Sequence, residues 1–242
     1  MIRFEHVTKK YAGGAVKAVD DLCLEIDGGK VFGFLGPNGA GKTTTIKMMT
    51  GILNPDEGQI WLENIELLKD PIQAKRMFGF VPDTFEMFER LTGMEYLRFL
   101  ADLYQVSEAQ RKEQMDKYLA MFELENAVQQ QIRSYSHGMK QKLQIIGSLI
   151  HKPQIWILDE PMVGLDPASM HALKQEMRAY CESGKTVFFS THVLDVAERL
   201  CDEIGIIRQG KLIAKGEPEK LMKLDSAATL EDLFLNLTEK EA

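Results

Sequence analysis

The sequence predicts an α/β domain built on a sheet that helices cover on both faces. Three observations carry that expectation. Apolar runs that read as buried strands, VFGFLG at 31–36, IWILD at 155–159 and TVFFST at 186–191, alternate with stretches of helical length. A glycine-rich loop, GPNGAGKTT at 36–44, joins one such run directly to a helix-like one. Between 91 and 124 the pattern switches to apolar residues at helical spacing. At 242 residues, the chain has room for one large domain with a small lobe inserted.

Taken in order, IRFEHV at 2–7, VKAV at 16–19 with AVDDLCLEI at 18–26, and GQIWLE at 58–63 read as strands that meet solvent on one side, with DGG at 27–29 as a turn. KTTTIKMMTG at 42–51 has helical length and is stopped by Gly51. KRMFGFVPD at 75–83 reads as a further strand ended by Pro82. In the middle segment Met94, Leu97, Leu100 and Leu103, then Met115, Leu119 and Phe122, mark two helices. Ser107, with Gln110 three residues on, is the N-cap signal between them. ASMHALKQEMRAYCESG is a helix between two buried strands, EIGIIRQG and KLIAKG form a late hairpin, and a short tail helix follows.

Composition narrows the function classes. With 45% hydrophobic and 27% charged residues, the chain suits a globular fold and not a disordered one. Thirty-six acidic against 29 basic side chains, a net charge of −7, disfavour broad binding to a nucleic-acid backbone, so no nucleic-acid partner is expected. Three widely spaced cysteines lack zinc-ligand spacing and read as reduced thiols. MIRFEHVTKKY carries no long apolar segment, so no secretory signal is expected. LQIIGSLI at 143–150 is too short to span a bilayer, so work at a membrane needs a partner that supplies the spans.

The loop of Gly36, Pro37, Asn38, Gly39, Ala40, Gly41, Lys42, Thr43 and Thr44 follows an apolar strand and opens a helix, the setting a phosphate-binding P-loop requires. Its glycines let backbone N–H groups close on phosphate oxygens at a helix start. Lys42 supplies positive charge to the β- and γ-phosphates, Thr43 a hydroxyl for Mg²⁺, and Thr44 a further hydrogen bond. IWILDEP ends a buried strand in two carboxylates. Asp159 suits the metal, and Glu160 suits a general base acting on water. No NKxD-like run and no GxGxxG are present, and the implied chemistry is hydrolysis of a nucleoside triphosphate by direct attack of water.

GPNGAGKTT, SYSHGMKQK, IWILDEP, GLDP at 164–167 and STH at 190–192, in that order, resemble the ATPase subunit of an ABC transporter over essentially the whole chain. The resemblance implies a P-loop NTPase core with a mixed sheet, an N-terminal antiparallel β subdomain and an inserted α-helical subdomain at 86–153, all within one domain spanning 1–242. It implies ATP, with Mg²⁺, bound at a head-to-tail interface of two such subunits, as homodimer or heterodimer. The signature Ser136, His137, Gly138 and Met139 would then face the γ-phosphate held by the other subunit, Ser136 capping a helix that points at the anion. Asp166 would form the cross-subunit linking loop, His192 would orient around the γ-phosphate and water, and Tyr11 would stack on adenine. Two positions depart from the family: Asp83 stands where a glutamine is usual, still able to reach Mg²⁺ or water, and His137 where a glycine is usual. Gln141 at the helical i+4 position removes the second ligand that a metal reading of His137 needs; its ring either points outward or adds a hydrogen bond across the interface.

A single cassette resembles a subunit that pairs with separate multi-span membrane proteins and sits peripherally at the cytoplasmic face of the membrane. TLEDLFLNLTEKEA resembles the tail of single-cassette bacterial exporter subunits of the ABC-2, multidrug or antibiotic type. An importer subunit and a soluble ATPase that regulates another machine are the alternatives. Phe85, Met87 and Phe88 read either as a docking patch for the membrane partner or as a seal between the lobe and the core.

Overall fold

The computed structural model describes residues 1–11, 16–84 and 87–239. Strands β1 (Ile2–Lys10), β2 (Lys17–Ile26), β4 (Glu57–Leu62) and β5 (Ile65–Glu66) form an antiparallel sheet in the order β2-β1-β4-β5. The two segments expected at 16–19 and 18–26 are one strand, because β2 pairs with β1 along its length through register shifts. A second sheet takes the order β10-β9-β3-β8-β7-β6, from β3 (Val31–Leu35), β6 (Phe78–Val81), β7 (Ile155–Asp159), β8 (Thr186–Thr191), β9 (Glu203–Arg208) and β10 (Lys211–Gly216). All its neighbours are parallel except β9 and β10, so the sheet is mixed. β3, β7 and β8 are buried at every residue, which is what apolar runs without alternation require of strands covered on both faces.

α1 (Lys42–Met49) follows β3. α2 (Pro71–Met77) was not foreseen, and it takes Lys75–Met77 from the expected strand at 75–83. Asp70 caps it by accepting from Gln73 N–H at 3.2 Å, and Pro71 stands in its first turn, where a missing N–H costs nothing. Between β6 and β7 the chain forms α3 (Gly93–Leu103), α4 (Glu108–Met121), a 3₁₀ turn at Ile132–Ser134 and α5 (His137–Leu149). Thr92 and Glu95 close a reciprocal capping box on α3, and Ser107 caps α4 as its spacing predicts. α6 (Pro167–Glu182), α7 (Leu194–Leu200), α8 (Pro218–Asp225) and α9 (Leu230–Glu239) complete the chain; α7 was not foreseen.

One apolar cluster runs from Val31 and Leu35 in the sheet through Leu97, Leu119 and Ile146 of the helices to Leu230 near the C-terminus. α5 lies so close to β6 that a side chain at Gly79 would collide with the carbonyl of Ser148. Tyr118 of α4 donates to Glu176 of α6 at 2.8 Å, and Lys117 adds 2.7 Å, so the buried carboxylate ties the helical segment to the sheet-covering helix. Among the described residues, no helix is long and apolar enough to cross a membrane.

Candidate functional site

The phosphate loop leaves the C-terminal end of β3 at the middle of the mixed sheet, the edge at which open α/β sheets bind ligands. Gly41 is the N-cap of α1 at φ 113, and a Cβ there would strike the carbonyl oxygen of Ala18 in β2. The glycine is therefore demanded first by the approach of the antiparallel sheet, and the open helix N-terminus follows from that geometry. Around it lies a cavity of 380 Å³ lined by Tyr11, Ala18, the loop residues 37–44, Asp83 and Glu160.

Lys42 is 7% exposed, and its Nζ donates to the carbonyls of Gly36 at 2.6 Å and Pro37 at 3.3 Å. Burial lowers its pKa, against the upward pull of Glu160 and Asp159. Such an ammonium gains from an incoming polyanion, which replaces carbonyl dipoles with full negative charge. Thr44 Oγ1 lies 3.2 Å from the Tyr11 hydroxyl, so the half-exposed Tyr11 ring stands at the lip of the loop.

β7 delivers the acidic pair in two different settings. Asp159 is buried, and its carboxyl is pushed above the usual range by burial and by the nearby charges of Asp83 and Glu160, with hydrogen bonds from Ser190 and Thr43 opposing the rise. Three carboxylates and a threonine hydroxyl so arranged form a set of hard oxygen donors with surplus negative charge, which fits a divalent cation such as Mg²⁺. Glu160 takes φ 49, a left-handed conformation uncommon outside glycine, which turns it away from the strand path. Its Oε2 lies 2.9 Å from His192 Nδ1, a distance at which the ring N–H donates to the carboxylate and orients it.

Ser190 is the residue the sequence reading passed over. Fully buried in β8, it donates to Asp159 and accepts from the Glu160 N–H at 3.0 Å, so one hydroxyl sets both acids. A serine following the apolar run VFF within the buried strand TVFFST was the available signal.

The remaining expected residues gather elsewhere. Ser136 is the N-cap of α5, accepting from Met139 N–H at 3.3 Å, and the helix begins at His137. None of Ser136, His137, Gly138 and Met139 lines the loop cavity. The His137 ring packs on the backbone of Gly164: a Cβ at Gly164 would lie 2.7 Å from Nε2, and one at Gly138 would lie 2.7 Å from the Gly164 carbonyl oxygen. The signature turn and the GLDP loop of the same chain therefore interlock. Asp166 caps α6 by accepting from Ser169 N–H at 2.9 Å and pairs with Lys142 of α5 at 2.9 Å. Lys142 and Ser169 together hold its carboxyl far below the usual range. Gln141 and Gln144 of α5 donate to the carbonyls of Pro161 and Thr84, joining that helix to the loops after β7 and β6.

Phe85 lies outside the described residues. Met87 is partly buried against the main apolar cluster, whereas Phe88 is 58% exposed and meets Phe99 edge-on at 5.5 Å. The two therefore divide between packing and surface. Beside them a cleft of 310 Å³ opens between β6 and the helices α3 and α5, walled by Phe80, Pro82, Tyr96, Leu100, Tyr104 and His151.

A lysine held in a glycine-capped helix start, facing a buried aspartate and an oriented glutamate, is the arrangement of P-loop nucleoside triphosphatases. Comparison with known proteins narrows the class. The ABC transporter family profile matches residues 19–163. Nod factor export ATP-binding protein I of Cupriavidus metallidurans is 34% identical over 234 residues, covering 97% of this chain and 77% of that protein. Linearmycin resistance ATP-binding protein LnrL of Bacillus subtilis is 36% identical over 216 residues, 89% of this chain and 69% of that one. ABC-type transporter ATP-binding protein EcsA, also of Bacillus subtilis, is 33% identical over 238 residues, 97% and 96%. Among solved structures, an ATP-binding subunit of an ABC transporter superposes with a TM-score of 0.93 at 33% identity, covering 98% of this chain and 99% of that one. A dimeric ATP-binding cassette, MJ0796, in a post-hydrolysis state bound to ADP and Pi, gives 0.81 at 27% identity, with 90% and 98% covered. The chain belongs to the ABC transporter family and is an ATP-binding, ATP-hydrolysing subunit of it.

Proposed function

We propose that two such subunits hydrolyse ATP at a head-to-tail interface and that this drives export through a separate membrane-spanning partner. The meeting of Lys42 and Glu160 at the loop cavity, with Asp159 next to Glu160 at the end of β7 and His192 hydrogen-bonded to Glu160, is the observation that carries the hydrolytic part. Lys42 transfers from the Gly36 and Pro37 carbonyls to the β- and γ-phosphates, where its charge counters that developing on the transferred group. Glu160, oriented by His192, accepts the proton of the attacking water. Thr43, Asp159 and Asp83 would hold Mg²⁺, which would supply positive charge against that of the phosphates. Tyr11 offers its ring to adenine, a contact that recognises a purine without distinguishing purines closely.

The signature turn supports a shared site. Ser136 and the backbone N–H groups at the start of α5 form an anion-binding helix end that does not line this chain's own loop cavity. A second copy, approaching head to tail, presents its γ-phosphate to that end. Asp166 and the GLDP loop, interlocked with the signature through Gly164 and Lys142, carry the state of one site to the other. The segment 86–153 acts as a helical subdomain that moves with the signature. The cleft beside exposed Phe88 and Phe99 receives a cytoplasmic segment of the membrane partner, which holds this subunit at the membrane face. Export, of the ABC-2 or multidrug type, is favoured over import by the names of the relatives: one exports Nod factor and one confers linearmycin resistance.

Glu160→Gln tests the hydrolytic reading. It is expected to keep ATP binding, slow turnover by about 10²–10⁴-fold and accumulate an ATP-bound dimer on size exclusion. Unchanged turnover would remove Glu160 as the base. Tagged subunit recovered from detergent-solubilised membranes is expected to bring down a multi-span protein, and recovery with only soluble proteins counts against transport.

A further inference from the structure

Away from the ATP site, on the outer face of the antiparallel sheet, three unlike side chains point at one spot: His6, Asp21 and Cys23. His6 Nδ1 lies 2.8 Å from Asp21 Oδ1 and 3.5 Å from Cys23 Sγ, and the three candidate ligand atoms all fall within 4.8 Å of one another. The register of β1 and β2 explains the meeting. Phe4 pairs with Leu24 and Val7 with Leu22, so Glu5 and His6 oppose the single residue Cys23. Val7 pairs with Leu22 and Lys9 with Val19, so Asp20 and Asp21 oppose the single residue Thr8. Each strand thus carries one extra residue, on either side of the Val7–Leu22 pair. His6 at φ 51 and Asp21 at φ 54 are those residues, both turned outward onto the face that Cys23 already occupies.

We infer that His6, Asp21 and Cys23 form a binding site for a zinc-class divalent ion that clamps β1 to β2. The donor set is one imidazole nitrogen, one thiolate sulfur and one carboxylate oxygen, which suits Zn²⁺ or Co²⁺ and not the Mg²⁺ that accompanies ATP. The spacing suits it too. Zn–N and Zn–S bonds at a tetrahedral angle separate the two donors by about 3.6 Å, close to the 3.5 Å between Nδ1 and Sγ. His6 and Asp21 move apart from 2.8 Å to roughly 3.3 Å as the ion replaces the hydrogen bond between them, and the ring proton passes from Nδ1 to Nε2 by exchange with solvent, which frees the Nδ1 lone pair for the ion. Binding releases the Cys23 thiol proton to solvent, and the fourth position stays open to water because all three residues are exposed. The clamp lies within a hairpin whose other end backs the phosphate loop through Ala18.

Co²⁺ reports thiolate ligation directly. One equivalent added to the full chain at micromolar concentration is expected to raise a thiolate-to-cobalt absorption in the near ultraviolet that Zn²⁺ then abolishes. Cys181 and Cys201 are buried, so the band belongs to Cys23, and Cys23→Ser is expected to lose it while Mg²⁺-dependent ATP hydrolysis is retained. His6→Ala is expected to weaken Co²⁺ binding at least 10-fold. Independently of any variant, Zn²⁺ is expected to slow iodoacetamide alkylation of Cys23, located by peptide mass, at least 10-fold. A Co²⁺ spectrum in the unsubstituted chain identical to that of Cys23→Ser, or alkylation of Cys23 unchanged by excess Zn²⁺, overturns the site.

Discussion

Alanine in place of Gly164 perturbs the contact between the signature turn and the GLDP loop at one atom. Two effects add. Gly164 has φ +80, where a Cβ costs about 1–2 kcal/mol through its clash with the backbone. The new methyl also meets the His137 ring, its three nearest heavy atoms all belonging to that ring. Because His137 is exposed, the ring swings off its rotamer instead of forcing the backbone apart, so this second effect stays at about 1 kcal/mol. Gly164→Ala is therefore expected to lower stability by about 2–3 kcal/mol. Urea denaturation of Gly164→Ala, His137→Ala and the double variant separates the two effects. Removing the ring relieves the contact and leaves the φ cost, so the coupling energy is expected to be about 1 kcal/mol, favouring the double variant. Additivity within about 0.3 kcal/mol would show that the ring does not rest on Gly164. ATP turnover of His137→Ala at saturating ATP, close to that of the unsubstituted chain, would confine the ring to packing; a fall with unchanged stability would give it the cross-interface role.

Lys42→Ala is expected to raise the Kd for ATP by at least 10-fold, read by equilibrium binding of a fluorescent ATP analogue, since among the described residues no other side chain lining the loop cavity carries a positive charge. His151, stacked on Tyr104 at 3.7 Å and hydrogen-bonded to Phe78 O, is held down to about 4 by burial, against 6.5 unfolded. The unfolded chain therefore takes up the proton first as the pH falls, so stability is retained above 6.5 and lost between 6.5 and 4. Between pH 7 and pH 5 the loss is about 2 kcal/mol, and urea midpoints are expected to show it shrinking in His151→Gln. Phe88→Ser, at a position 58% exposed, is expected to weaken recovery of the membrane partner at least 5-fold while changing basal ATP hydrolysis less than 2-fold. Equal losses in both would return Phe88 to a packing role.

Much of the fold was readable because its signals are local. β3, β7 and β8 are continuous apolar runs, buried on both faces, and a window of five or six residues contains all the information. Caps at Ser107 and Ser136 sit three residues before the N–H they accept from, so spacing along the chain reveals them, while the like-spaced cap at Asp166 was not read. Elements whose existence depends on distant partners were lost. β6 begins only at Phe78 of the strand expected at 75–83, because its pairing with Ile155 starts there and α2, opened by Asp70 and Pro71, takes the residues before it. Phe88 and Met87 are adjacent and alike in hydropathy, yet one faces solvent and the other the core, since their orientation follows from where α3 packs.

By itself the sequence determined which chemical groups are available. The order of residues in GPNGAGKTT and IWILDEP specifies which groups stand at the glycine-capped helix start and which carry negative charge at the strand end, because both motifs are contiguous and their geometry is set by a few backbone angles. The tertiary structure decided what those groups touch. Ser190 joins Asp159 to Glu160 across 30 residues of chain, Ala18 makes Gly41 obligatory, Gly164 receives the His137 ring, and two offset strand bulges bring His6, Asp21 and Cys23 together. The first, second and fourth depend on sheet order or strand register and the third on how α5 meets the GLDP loop; all arise from burial summed over the whole domain, and only Ser190 left a local mark, a hydroxyl in a buried strand.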